Sequence, residues 1–278
     1  MLALYTIIPL CLLLQLFDEW FWHGFLQQNL PTSPKQFLLF QIIFGTPHII
    51  ASSILLVSNS DYLKHYKSKV ILMTLLIIVV FGVGSLFIPY KVLYVTVAAW
   101  TVYHVLKQQF GVGRGVYRLP NWFFYLLLWL SVTAGFFVYI GIFLQNSLES
   151  QQLTLIKWIA GILCIALACS ALFGQRYTNT SDGKWFLWSN VFLVISSYYH
   201  FVQQYYFLAI LIPRLVHDAT AFIFYVVHDF NKHTMLIRKT LFIVMRNVAI
   251  FRLLSFYLCI LLFWHMYYRH TETAFSIL

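Results

Sequence analysis

The chain has 278 residues, of which 61% are hydrophobic and only 9% charged, with a formal net charge of +10 and a mean hydropathy of +0.79. A water-soluble domain carries roughly a quarter charged residues and about half apolar ones, so this composition excludes one. Nucleic-acid binding is excluded as well, because the Lys and Arg residues sit in short segments between apolar runs and no dedicated basic domain exists.

A membrane-crossing helix needs about 20 mostly apolar residues. In chain order that criterion predicts spans at Leu2–Phe17, Phe37–Ser58, Val70–Pro89, Val92–Phe110, Trp122–Leu144, Leu153–Phe173, Trp185–Ile210, Leu215–Val227 and Val248–Met266. The expectation is an all-α polytopic bundle of eight or nine spans, a single integral-membrane domain over 1–278 with no soluble part. The first segment lacks a basic flank and a small-residue cleavage site, so it reads as a retained span. Pro213 and Arg214 interrupt a long apolar run, and a helix break or tight reversal is predicted there. The segments Lys64–Lys69, Arg114–Arg118 and Lys232–Arg246 are basic and are assigned to cytoplasmic loops by the positive-inside bias, which places Glu149 on the opposite side. Asn179-Thr180-Ser181 matches a glycosylation acceptor, but it falls in a loop assigned to the cytoplasm. Cys11, Cys164, Cys169 and Cys259 all lie in apolar stretches and form no metal or redox motif.

The histidines carry the chemical signal. Three times a histidine is followed four residues later by a glutamine: His23 and Gln27, His104 and Gln108, His200 and Gln204. On a helix such pairs share a face and can point at one target. His104, His200, His48, His217 and His228 fall within apolar segments, where an ionisable side chain is costly and marks a functional site by default. His48 follows Gly45-Thr46-Pro47, a proline break that suits a lined cavity; the bland alternative is a histidine bonding across helices. Phe110-Gly111-Val112-Gly113-Arg114-Gly115 reads either as a backbone nest for a phosphate or, by preference, as a helix end. His217-Asp218 and His228-Asp229 lie eleven residues apart, about 16 Å on an unbroken helix, so the two histidines cannot share one ion. Of the two, His217 is the preferred ligand, at a depth His200 can reach, with His228 nearer His104. Asp218 and Asp229 are candidates to orient an imidazole from a neighbouring helix. His23, His65, His233, His265 and His270 lie at span ends or in loops and need no special role.

Imidazoles with few carboxylates suit iron, copper or zinc rather than hard cations. The expected metal ligands are His48, His104, His200, His217 and His228, with Asp218, Asp229, Gln108 and Gln204 as catalytic or supporting groups. Gly45-Thr46-Pro47-His48, Tyr103-His104 and the late helices with His200 and His217 resemble the Brp/Blh family of membrane β-carotene 15,15'-dioxygenases. That resemblance implies a polytopic, histidine-bound non-haem iron oxygenase using O2 on a carotenoid, isoprenoid or acyl lipid in a bacterial inner membrane. In the late spans this chain has His-x-x-x-Gln and no His-x-x-x-His. Two other readings stay open, a bis-histidine haem protein moving electrons and a transporter or lipid-binding protein using histidines as proton relays. The partners expected are a lipophilic small molecule and membrane lipids.

Overall fold

The computed structural model describes residues 2–32 and 60–233, with 60–62, 90, 117 and 225–233 as backbone alone. The chain divides into two compact units, Met1–Leu38 with Asn59–Ala221, and Leu39–Ser58 with Phe222–Leu278. The first holds nearly all of the described residues. The elements in chain order include a 3₁₀ turn at Leu2–Thr6, α1 (Ile7–Phe21), α2 (Phe25–Asn29), α3 (Ser60–Ile77), α4 (Tyr90–Tyr117), α5 (Asn121–Phe143), α6 (Ser150–Gly174), α7 (Ser181–Val202) and α8 (Tyr206–His233). No strand occurs among the described residues. Five helical stretches among them are long and apolar enough to cross a membrane: Leu2–Phe21, Leu63–Leu86, Asn121–Phe143, Ser150–Tyr177 and Tyr206–Phe224. Two of the predicted spans, Phe37–Ser58 and Val248–Met266, lie outside the described residues.

The bundle is apolar outside and carries its polar groups within. Leu13, Trp20, Leu72, Trp158, Ile165 and Trp185 are each more than 60% exposed, whereas Gln15, Asp18, Gln109, Ser131, Asn190 and His200 are fully buried. Exposed apolar surface on this scale would associate in water, but hydrocarbon solvates it. This distribution is compatible with an integral membrane protein. Along the first segment the buried positions are Tyr5, Ile8, Cys11, Gln15 and Asp18, a helical stripe that faces α7.

Helices α5, α6 and α7 pack on one another, α4 lies against α5 and α7, and α1 against α7. Small residues permit the close approaches. A Cβ on Gly141 would collide with the Phe201 ring, and one on Gly174 with the Phe123 ring. Helix–helix contact in lipid rests on this kind of fit, because burial from water contributes nothing between helices already in hydrocarbon.

Several boundaries depart from the sequence-based expectation. α1 continues to Phe21, so Asp18 sits on a helix and not in a connection. Lys64, Lys67 and Lys69 ride on α3 instead of forming a loop; long lysine stems can lie along apolar surface while their ammonium groups reach the interface. The glycine run after Phe110 stays helical inside α4, which ends at Tyr117 with Arg118 in the left-handed region at φ 53°, so it forms neither a nest nor the helix end. Thr180 caps α7 by accepting the Gly183 N–H at 3.2 Å.

The largest departure is at Pro213. The chain breaks at residues 203–205, and α8 runs unbroken through the proline. Proline lacks the N–H that would bond the carbonyl four residues earlier, here Ala209. Ser197 of α7 replaces it, its hydroxyl donating to the Ala209 carbonyl at 2.6 Å. In a bundle core such a neighbouring hydroxyl lets a helix tolerate proline. Ser197→Ala is therefore expected to cost about 1–3 kcal/mol by orphaning that carbonyl. The cost should largely vanish in a Pro213→Ala background, where the restored N–H serves Ala209. Equal costs in both backgrounds, measured by denaturant unfolding in detergent, would show that Ser197 does not play this part.

Candidate functional site

Of the three His-x-x-x-Gln repeats, only His104 and Gln108 share a helix face. His23 at φ 52° and Gly24 at φ 78° form the corner between α1 and α2, and Gln204 at φ 66° forms the corner between α7 and α8. The first and third pairs are turn residues, because the chain must reverse there. Gln27 then bonds across these corners, its Nε2 donating to the Gln203 carbonyl at 2.9 Å. Gln204 is exposed and Gln108 partly buried.

Asp18 organises the same end of the bundle. Its carboxylate accepts the backbone N–H groups of Leu26 at 2.8 Å and Gln27 at 3.2 Å, and the Tyr205 hydroxyl at 2.9 Å. Those amides are the otherwise unpaired donors at the start of α2. Burial, and then the bond to Asp18, push the Tyr205 phenol above its ordinary value. The arrangement is a fully engaged lock between the N-terminal hairpin and the α7–α8 corner.

Deeper in the bundle, His200 is fully buried. Its Nδ1 lies 2.7 Å from the Ser196 carbonyl, the Cys11 backbone comes close to the ring, and Nε2 has no hydrogen-bond partner. A second polar node joins the N-terminal 3₁₀ turn, α4 and α7, where the Tyr5 hydroxyl is 2.6 Å from Asn190 Oδ1 and 3.2 Å from the Gln109 amide oxygen. A phenol has one proton, and the shorter contact takes it.

The histidine juxtaposition lies elsewhere, between α4 and α8. The His104 and His217 ring centres are 5.2 Å apart with an interplanar angle of 76°. His104 stands at the midpoint of the 28-residue α4, about 20 Å from either end. It is exposed at the bundle surface, whereas His217 is buried. One residue on, the Asp218 Oδ2 receives Arg214 Nε at 3.2 Å, an ion pair one turn apart on α8 with both partners buried. Opposite charges at i and i+4 hold each other across a helical turn, and a buried charge demands such a partner.

The expected pairings are thus corrected. His217 meets His104 and not His200, because α8 begins at Tyr206 and turns His217 toward α4. Asp218 is engaged by an arginine of its own helix. Among the described residues no three His, Cys, Asp or Glu side chains come together in a group that could hold a metal, so His200 does not join the pair. His48 lies outside the described residues. His228 and Asp229 lie on α8; their side chains are not described. Sequence reasoning passed over Asp18, the Tyr5–Gln109–Asn190 node and the Arg214–Asp218 pair. The i, i+4 charge spacing could have revealed the last, and an acid at the end of an apolar run the first.

Comparison of the chain with protein-family models, curated proteins and solved structures found no match.

Proposed function

We propose that the chain is a membrane-embedded non-haem iron oxygenase acting on a lipophilic substrate, with His104 and His217 as two of its metal ligands. The observation that supports this reading is the spacing of the two rings. A metal-bound imidazole nitrogen lies about 2.0–2.1 Å from its ion, which puts each ring centre about 3.3 Å away. Two such rings in adjacent coordination positions then sit about 4.6–5.4 Å apart. The 5.2 Å of His104 and His217 falls in that interval. Ligands on opposite sides of a haem iron would need about 6.5 Å with the macrocycle between them, so the geometry favours a centre without haem.

Charge points the same way. With Asp218 held by Arg214, the donors offered here are nitrogen, which suits iron, copper and zinc better than magnesium or calcium. Iron is preferred because open coordination positions allow it to activate O2 and because of the resemblance to carotene dioxygenases. An exposed His104 on an apolar bundle surface would let a carotenoid, isoprenoid or acyl chain reach the metal from the hydrocarbon without crossing water. The setting is the inner membrane of a bacterium.

A visible spectrum with metal analysis of the purified protein tests the reading. The expected result is iron near one equivalent with weak visible absorption. An intense Soret band would replace it with the haem reading, and fully active metal-free protein would end both.

A further inference from the structure

Two corners of the bundle meet at one end, the α4–α5 turn at 118–120 and the α6–α7 connection at 175–180. The Tyr177 ring packs edge-on against Trp122 and lies beside Phe123, with ring centres 6.5 and 5.6 Å away. A Cβ on Gly183 of α7 would stand 3.1 Å from the Val116 carbonyl near the end of α4. The two corners therefore form one surface. We propose that this surface binds the headgroups of anionic phospholipids, with Arg118 and Arg176 as the principal cations facing the phosphate.

Charge carries the proposal. Arg114, Arg118, Arg176 and Lys184 are all exposed on these helix ends, and the acid beside them is Asp182. None of the four cations forms an ion pair among the described residues, where the pair found is Arg214–Asp218. Arg114 donates to Asn121 and lies over the Phe124 ring, and Arg176 lies over the Phe173 ring. These contacts hold the side chains at the surface without neutralising them. The other end of the bundle carries Lys91 and Lys157 against Glu19 and Glu149, and Lys157 is turned onto the Val202 carbonyl at 3.5 Å. The uncompensated charge of these helices thus lies toward one end.

The aromatic rings set the depth. Trp122, Tyr177 and Trp185 are exposed among the cations, and Trp and Tyr gather at the level of the lipid headgroups. At that level the complementary partner is an anionic headgroup. Its phosphate accepts charge-assisted bonds from a guanidinium, and each Lys or Arg also gains from the negative potential of an anionic leaflet. A zwitterionic headgroup offers the phosphate without the net charge. The positive-inside bias places this end in the cytoplasmic leaflet, where that negative potential lies. A lipid shell of this kind belongs to the bundle whatever reaction it houses, so the proposal stands apart from the oxygenase reading.

Native mass spectrometry of the full chain in detergent, titrated with phosphatidylglycerol or with phosphatidylcholine of the same acyl chains, tests it. Phosphatidylglycerol is expected to bind the more tightly. One cation near an anionic surface contributes about fivefold in association, so replacing both arginines, Arg118→Gln with Arg176→Gln, should cut the preference by about tenfold or more. Lys91→Gln, at the opposite end, should keep it, and inorganic phosphate should not displace the lipid, since it has no acyl chains to lie along the helices. Unchanged unfolding midpoints in these surface variants show that the bundle is intact. Equal affinity for the two lipids in the wild type, a preference unchanged by the double substitution, or one lost equally in Lys91→Gln would each overturn the proposal. Full displacement by inorganic phosphate would overturn it too, because the site would then be one for a free anion.

Discussion

Asp18→Ala is expected to destabilise the bundle by about 3–5 kcal/mol, the largest effect on folding of any single change considered. The carboxylate holds two backbone amides at the start of α2 and the Tyr205 hydroxyl, and it is fully buried. Removing it leaves three donors without partners, each costing about 1–3 kcal/mol, with partial relaxation lowering the sum. Asp18→Asn keeps one acceptor oxygen at the site and should cost clearly less. Tyr205→Phe removes one bond of the three and should cost least. Denaturant unfolding in detergent micelles checks the order, and equal stabilities for Asp18→Ala and Tyr205→Phe would show that the α2 amides do not depend on the carboxylate.

His104→Ala and His217→Ala are each expected to strip the protein of nearly all its iron while leaving it folded. A site that loses one of the two proposed ligands loses the geometry that would select the metal. His200→Ala gives the contrast. Its Nδ1 is engaged with Ser196 and its ring lies against α1, so removing it should leave iron content near the wild-type value and lower stability through the cavity it leaves. Gln204→Ala, at an exposed left-handed corner, should change neither. Metal analysis of the four variants, beside their unfolding midpoints, separates a ligand from a packing residue. Iron lost from His200→Ala but kept by His104→Ala would reverse the assignment.

The helical class and most helix positions were legible because apolar run length is a composition property that needs no tertiary information. Where the reading erred, tertiary partners had rescued what the local sequence disfavours. Pro213 reads as a break, but Ser197 supplies the missing donor from sixteen positions earlier, on another helix. The real break at 203–205 is hidden inside an apolar stretch, and only the left-handed Gln204 marks it. The repeated His-x-x-x-Gln pattern looked like one device used three times, yet two copies fall at corners where i and i+4 no longer share a face. His104 and His217 were both singled out because an imidazole in an apolar run needs a reason. Their pairing was not, because which of two histidines faces a given third depends on helix rotation, set here by where α8 begins. Buried glutamine, asparagine and tyrosine at Gln109, Asn190 and Tyr5 left no periodic signature and appear only once the helices are packed.

The central claim is that one metal ion is bound jointly by His104 and His217. Anomalous diffraction at the iron edge, from crystals of the protein purified with its metal, tests it most directly. The account predicts a single peak about 2.1 Å from a ring nitrogen of each of these two histidines. An iron peak at His200, two peaks each holding one of the pair, or no peak between the two rings would contradict it.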